Sequence, residues 1–223
     1  MEIVSINVGK PITVDYKGKE IKTGIYKFQI QGPVYLSKLN FDGDGQADLV
    51  HHGGPDKAVC VYAAEHYPYW EQDLNKKLVH GAFGENLTVK EMLEPDIHIG
   101  DTFQIGEAIV QVSQPRQPCF KLAKRYDLHD LPLKFQKTGY TGFYLRVIEE
   151  GWMSSDSEIK LIERNLNGIT VDFANVIMHH DKKNVDAIER ILNVKELSSN
   201  WRKTFSKRLD GKIEDIKARV EGI

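Results

Sequence analysis

The spacing of apolar residues changes period near residue 160, and that change confines the chain to a strand-rich body followed by a helical tail. Before it, short runs rich in Val, Ile, Phe and Tyr are separated by glycine, at residues 3–8, 21–26, 34–37, 87–89, 101–105 and 108–112. β-Branched and aromatic residues in short runs bounded by turn residues form strands, so residues 1–160 are expected to be mainly β and to close into a barrel. Lys10-Pro11, Asp42-Gly43-Asp44-Gly45 and His98-Ile99-Gly100 mark loops. Two helices are expected to interrupt the strands, one over residues 62–67 leading to Trp70 and one over residues 120–125.

Residues 161–223 read as a small three-helix domain, with helices over 171–179, 184–192 and 195–209. Leu197, Trp201, Phe205 and Leu209 recur at every fourth position and make one apolar stripe, and Asn193 with Glu196 has the spacing of a capping pair. Val185, Ile188 and Leu192, with Val171, Ala174 and Met178, can close the unit against that stripe. Three helices can imitate a helix-turn-helix reader of DNA, but the tail lacks the dense positive footprint that binding requires. A packing or docking module for the body is the better reading.

Composition removes several classes of function. A net charge of -2 in 223 residues gives no general attraction to nucleic acid or to an anionic membrane. No apolar run is long enough to span a bilayer, and Met1-Glu2-Ile3-Val4-Ser5 does not open a secretory signal. The two cysteines, Cys60 and Cys119, do not make a disulfide framework, a zinc knuckle or an iron–sulfur site, which points to a reducing cytoplasm. Nor is there a dinucleotide fingerprint for NAD(P)H or flavin such as FAD, or a haem attachment motif. Oligomeric state is left open, a homodimer included.

Three stretches carry chemistry. Gln114-Pro115-Arg116-Gln117-Pro118-Cys119-Phe120-Lys121-Leu122 leaves a strand through two prolines and sets Cys119 between basic residues. Arg116 and Lys121 favour the thiolate, the form that attacks an electrophile or ligates a soft metal, although a buried cysteine is equally a small hydrophobe. His51-His52-Gly53-Gly54-Pro55-Asp56-Lys57-Ala58-Val59 lacks P-loop spacing, yet its glycines let backbone N–H groups approach an anion that Lys57 can neutralise. His51 and His52 point to opposite sides of an extended chain, so one of them at most faces a given ligand, and too few ligands surround them for zinc. Gly81-Ala82-Phe83-Gly84-Glu85-Asn86-Leu87 enters a strand with a Glu-Asn pair able to bond a heterocycle edge or merely to cap a loop. Cys60, between Val59 and Val61, reads as a buried filler.

Taken in order, these three stretches resemble the MOSC domain, the module related to the C-terminal part of molybdenum cofactor sulfurases, over roughly residues 1–160. The tail, with residues 163–171 and Leu197-Ser198-Ser199-Asn200-Trp201, resembles the three-helix domain of the YiiM-type branch. The resemblance implies a molybdenum cofactor, a metal–pterin held by the barrel with Cys119 as protein ligand to molybdenum. It implies Lys57 and Arg116 at the cofactor phosphate, Glu85 and Asn86 near the pterin, and His51 or His52 in proton delivery. The implied reaction is reduction of N-hydroxylated compounds, such as 6-hydroxylaminopurine, to amines, with electrons from a separate reductase. A non-catalytic carrier of the cofactor or of sulfur also keeps Cys119, and composition alone permits a metal-free interaction module.

Overall fold

The computed structural model describes residues 1–47 and 53–222, so His51 and His52 lie outside the described residues. The chain begins with β1 (Glu2–Val8), β2 (Ile12–Tyr16), β3 (Lys19–Thr23), β4 (Phe28–Gln29) and β5 (Val34–Leu36). It continues through β6 (Val59–Ala63), α1 (Tyr67–Asp73), β7 (Leu87–Lys90), β8 (Thr102–Ile105) and β9 (Ala108–Pro115). Next come α2 (Phe120–Tyr126), α3 (Leu131–Thr138), β10 (Phe143–Glu149), β11 (Gly151–Met153) and β12 (Ile159–Glu163). The tail carries α4 (Val171–His179), α5 (Val185–Leu192), α6 (Ser199–Leu209) and α7 (Lys217–Glu221).

Among the described residues, eight strands pair in the order β12-β8-β9-β10-β6-β7-β1-β4, and only β6 and β7 run parallel. The order begins and ends on different strands, so the twisted mixed sheet curls into a half-barrel instead of closing. Its core holds Ile3, Val61, Phe103, Val110, Phe143 and Leu145. The central strand β6 is buried along its whole length, which extends it through Tyr62 and Ala63 where a helix was expected. The reason is a second apolar cluster on its other side: Trp70 stacks on Phe135 at 4.2 Å, and Trp70 Nε1 donates to Tyr62 Oη at 2.6 Å. The helical part of that segment therefore begins with a 3-10 turn over Ala64–His66, which leads into α1 at Tyr67.

The tail helices α4 and α5 fall where the spacing puts them, and α6 starts four residues later than expected. Ser198 is its N-cap and accepts from Trp201 N at 3.3 Å. Asn193 is instead the C-cap of α5, and Glu196 accepts from Asn165 Nδ2 at 3.0 Å, so the two do not cap the start of α6. Leu197, Trp201 and Phe205 are buried against α4 and α5, whereas Leu209 is 39% exposed. A four-residue step overshoots the helical turn by about 40°, so the third step rotates off the packed face. Arg208 occupies that face and donates to the carbonyls of Ile177 and Met178 at 3.0 and 2.9 Å.

Body and tail interlock. Ile99 N donates to Ile169 O at 2.9 Å and Val171 N to Ile97 O at 2.8 Å. Ile99, from the body, lies in the helical core, and Val171, from the tail, lies in the sheet core. No helix among the described residues is long and apolar enough to cross a membrane.

Candidate functional site

Strand β9 ends at Pro115, and residues 116–118 carry the chain into α2 with Cys119 immediately before the first helical residue. Arg116 N donates to Gly142 O at 3.0 Å. Gly142 is left-handed (φ 70°), and a Cβ there would stand 2.2 Å from Val61 O, so only glycine lets this crossing approach β6. The Arg116 side chain turns inward at 7% exposure. Its Nη2 donates to Phe83 O at 2.6 Å, while Nη1 is buried with no hydrogen-bond partner among the described residues. Burial opposes the charge, but coupling to Cys60, Tyr144, Cys119 and Glu85 outweighs it and raises the guanidinium above its ordinary range. A buried cationic donor left unmatched is costly, which makes it a ready partner for an incoming anion.

Lys27, Lys57, Cys60, Asn86, Arg116 and Cys119 meet at an inner cavity of about 70 Å³. Lys27 forms a buried ion pair with Asp44, whose carboxylate also accepts from Gly9 N at 2.9 Å and Asn86 Nδ2 at 2.8 Å. Asn86 Oδ1 accepts from Cys60 N at 3.1 Å, and its Nδ2 donates to Asn7 O at 3.2 Å. The Asn86 amide thus lies at the cavity but is spent on tying β1, β6 and the Asp44 loop together. Cys60, read from the sequence as filler, is part of the wall, and burial pushes its thiol up, keeping it protonated.

Glu85 is brought elsewhere. Fully buried and outside the cavity lining, it accepts from Tyr67 Oη, Gly81 N (2.9 Å), Phe83 N (3.0 Å) and Thr88 Oγ1 (3.0 Å). A carboxylate with these four donors locks the 81–84 turn. Gly84 (φ 82°) closes that turn against Ile25, where a Cβ would come within 2.9 Å of the side chain. The turn in turn fixes the Phe83 carbonyl that receives Arg116. Glu85 therefore reaches the site through two backbone groups.

A second, outer cavity of about 620 Å³ adjoins the first, and Lys57, Gln117, Cys119, Lys121 and Tyr144 line both. Cys119, 5% exposed, stands at the junction. Burial pushes the Tyr144 phenol well up, so it enters the site as a hydroxyl donor. The structure brings Cys119, Lys57, Arg116 and Asn86 together at the inner cavity, where Lys27, Asp44, Cys60 and Tyr144 join them, four residues the sequence reading did not place there. The Asp-Gly-Asp-Gly loop and the segment 140–144 were the available signals. Chemically, the arrangement can hold an anion against buried cations with a thiol beside it and a roomy cleft in front.

The MOSC domain family matches residues 48–160, and the YiiM-like three-helix domain matches residues 169–212. The chain belongs to the MOSC domain family, in its YiiM-type branch. This MOSC chain is 56% identical to YflK of Bacillus subtilis over 208 residues, 93% of its own length and 94% of the relative's. The crystal structure of YiiM from Geobacillus stearothermophilus aligns with a TM-score of 0.80 at 40% identity, covering 93% of this chain and 98% of that one. A Gibberella moniliformis protein named reductase is 38% identical over 154 residues, 66% of this chain and 27% of that protein. The MOSC match contains the Cys119 segment, while the outer cavity draws residues from both matched parts.

Proposed function

We propose that the chain is an oxidoreductase that reduces the N–O bond of N-hydroxylated compounds such as 6-hydroxylaminopurine to the amine, using a molybdenum cofactor held through Cys119. The observation that carries this reading is the position of Cys119 between the Arg116 guanidinium, whose Nη1 has no hydrogen-bond partner among the described residues, and a cleft of about 620 Å³. Among the described residues no three His, Cys, Asp or Glu side chains gather as a metal cage. One soft thiol beside buried cations instead suits a metal that arrives with its own sulfur ligands and an anionic tail. The residues fit that group: Cys119 as ligand, Arg116 and Lys57 toward its phosphate.

When bound, such a cofactor supplies a metal centre that exchanges two electrons with the substrate. The protein supplies the rest. Cys119 stands where the inner cavity opens on the cleft, so a ligand in the cleft faces its sulfur. Tyr144 Oη and Lys121 Nζ are donors at the same opening and can orient a substrate oxygen. The balanced reaction takes two electrons and two protons, turns N–OH into N–H and releases water. Electrons come from a separate reductase. The fungal relative's name supports a redox role, and family membership supports the cofactor.

The test is turnover. Protein from a molybdenum-competent host, given a chemical reductant, is expected to convert 6-hydroxylaminopurine to adenine in step with its molybdenum content. Transfer of cofactor to an acceptor apoenzyme without any adenine formed would replace this reading by that of a carrier.

A further inference from the structure

The outer cavity has two walls of different origin. Gln117, Cys119, Phe120, Lys121 and Tyr144 belong to the body, whereas Asn200 and Thr204 come from α6 and Glu214, Asp215, Ile216, Ala218 and Arg219 from the segment after it. Asn200 and Thr204 are one helical turn apart, so they share a face, and their neighbours Trp201 and Phe205 are buried in the bundle. Helix α6 therefore packs with one face and lines the cleft with another.

The segment that follows is fastened beside Cys119. Glu214 pairs with Arg208, and Asp215 Oδ1 accepts from Lys217 N at 2.8 Å. Arg219 donates to the carbonyl of Pro118, the residue preceding Cys119. Glu221 O accepts from Lys17 Nζ at 3.0 Å and Tyr16 Oη at 3.4 Å. Gly222 lies on the Phe120 ring, which stacks on Tyr16 at 5.2 Å. These bonds hold the second wall in register with the first.

The chemistry of the cleft away from the thiol is specific in kind. Ile21, Phe120 and Ile216 offer apolar faces. Asn200, Thr204 and Gln117 offer neutral amide and hydroxyl groups at the edges, able to accept as well as donate. The Thr204 hydroxyl donates to Asn200 O at 3.1 Å, which leaves its lone pairs for a ligand donor. Lys22, Lys57, Lys121, Glu214, Asp215 and Arg219 also line the cleft, but Glu214 is paired with Arg208 and Arg219 with the Pro118 carbonyl, and the α6 wall itself offers only neutral groups. With the apolar faces, that wall suits a flat ring carrying both N–H groups and ring nitrogens.

We propose that the helical tail is the substrate-selecting wall of this site and that Asn200 and Thr204 read the edge of a planar nitrogen heterocycle held in front of Cys119. This rests on the reading of Cys119 as the reaction centre, and its test has one readout that does not need the cofactor. Asn200 is exposed and Thr204 half-buried, both off the packed face, so N200L, T204L and the double variant should fold, which thermal melting checks.

In cofactor-free protein, maleimide labelling of Cys119 at fixed pH, located by peptide mass mapping to separate it from Cys60, is slowed by added adenine. The double variant is expected to need about tenfold more adenine for the same protection, as loss of two hydrogen bonds implies. In loaded enzyme the same variant raises KM for 6-hydroxylaminopurine about tenfold, and the ratio of kcat/KM for that purine to kcat/KM for acetamidoxime, an N-hydroxylated compound without a ring, falls about tenfold. No protection in the wild type, or equal protection and equal KM in the double variant, overturns the proposal. Absence of N–O reduction with intact adenine protection would overturn the catalytic reading alone and leave the tail as a heterocycle-binding wall.

Discussion

The Asp56 carboxylate accepts from Ser199 N at 3.0 Å and Ser199 Oγ at 3.2 Å, joining the loop that carries Lys57 to the start of α6. Its other oxygen holds Arg146 Nη2 at 2.8 Å, and its carbonyl accepts from Ser113 Oγ at 2.5 Å. One residue thus couples the loop to β9, to β10 and to the tail. Asp56→Ala is expected to lower stability by about 1–2 kcal/mol. A shift of the urea midpoint at constant m-value checks this, and an unchanged midpoint would show the contacts to be idle.

Cys119→Ser should hold less than a tenth of the wild-type molybdenum and give no N–O reduction, because a hydroxyl does not replace a soft thiolate. Cys60→Ala keeps that ligand and only widens the wall, at a cost of about 1 kcal/mol. Metal analysis of both proteins from the same host is the comparison. Equal metal in the serine variant removes Cys119 from its role.

Arg116→Met keeps the volume and deletes the unmatched Nη1. Its cofactor-free form is expected to stay within about 1 kcal/mol of wild type, since the lost bond to Phe83 O is balanced by relief of a buried charge. Pterin retention should nevertheless fall about tenfold or more, read by pterin fluorescence after denaturation. Retention equal to wild type would move the anion site away from Arg116.

Burial depresses His179 to about 3, with nearby Arg219 and His180 acting in the same direction. The unfolded chain protonates this imidazole near its ordinary value while the fold keeps it neutral, so the unfolded state binds more protons between about pH 6.5 and 3. The stability it contributes is present above that window and is lost as pH falls through it, by at most about 1.4 kcal/mol per unit. His179→Gln should flatten this acid limb in denaturant titrations. An identical limb would assign the pH dependence to other groups.

Cutting the chain after residue 160 is expected to yield insoluble or molten protein. It removes Val171 from the sheet core and uncovers Ile99, besides breaking the backbone bonds at Ile97, Ile99 and Ser113. A soluble truncated body with a cooperative melt would show that it folds without the tail.

What the sequence determined by itself was local. Period and propensity set α4, α5 and six of the twelve strands among the described residues, and the order of three motifs set the family, because each depends on residues close along the chain. Cys119, Arg116 and Lys57 were readable for the same reason, as a thiol and two cations in short glycine- or proline-bounded segments. Tertiary structure decided whatever depends on partners far apart in sequence. Tyr62 is strand because Trp70 and Phe135 cover its other face, and Glu85 turns from the cavity because four donors converge on it. Cys60 becomes wall because β6 runs beside Asn86, and Asn200 enters the site because α6 packs with its opposite face. Burial and hydrogen-bond satisfaction belong to the assembled surroundings of a residue, and the local pattern that fixes a helix or strand leaves those surroundings open.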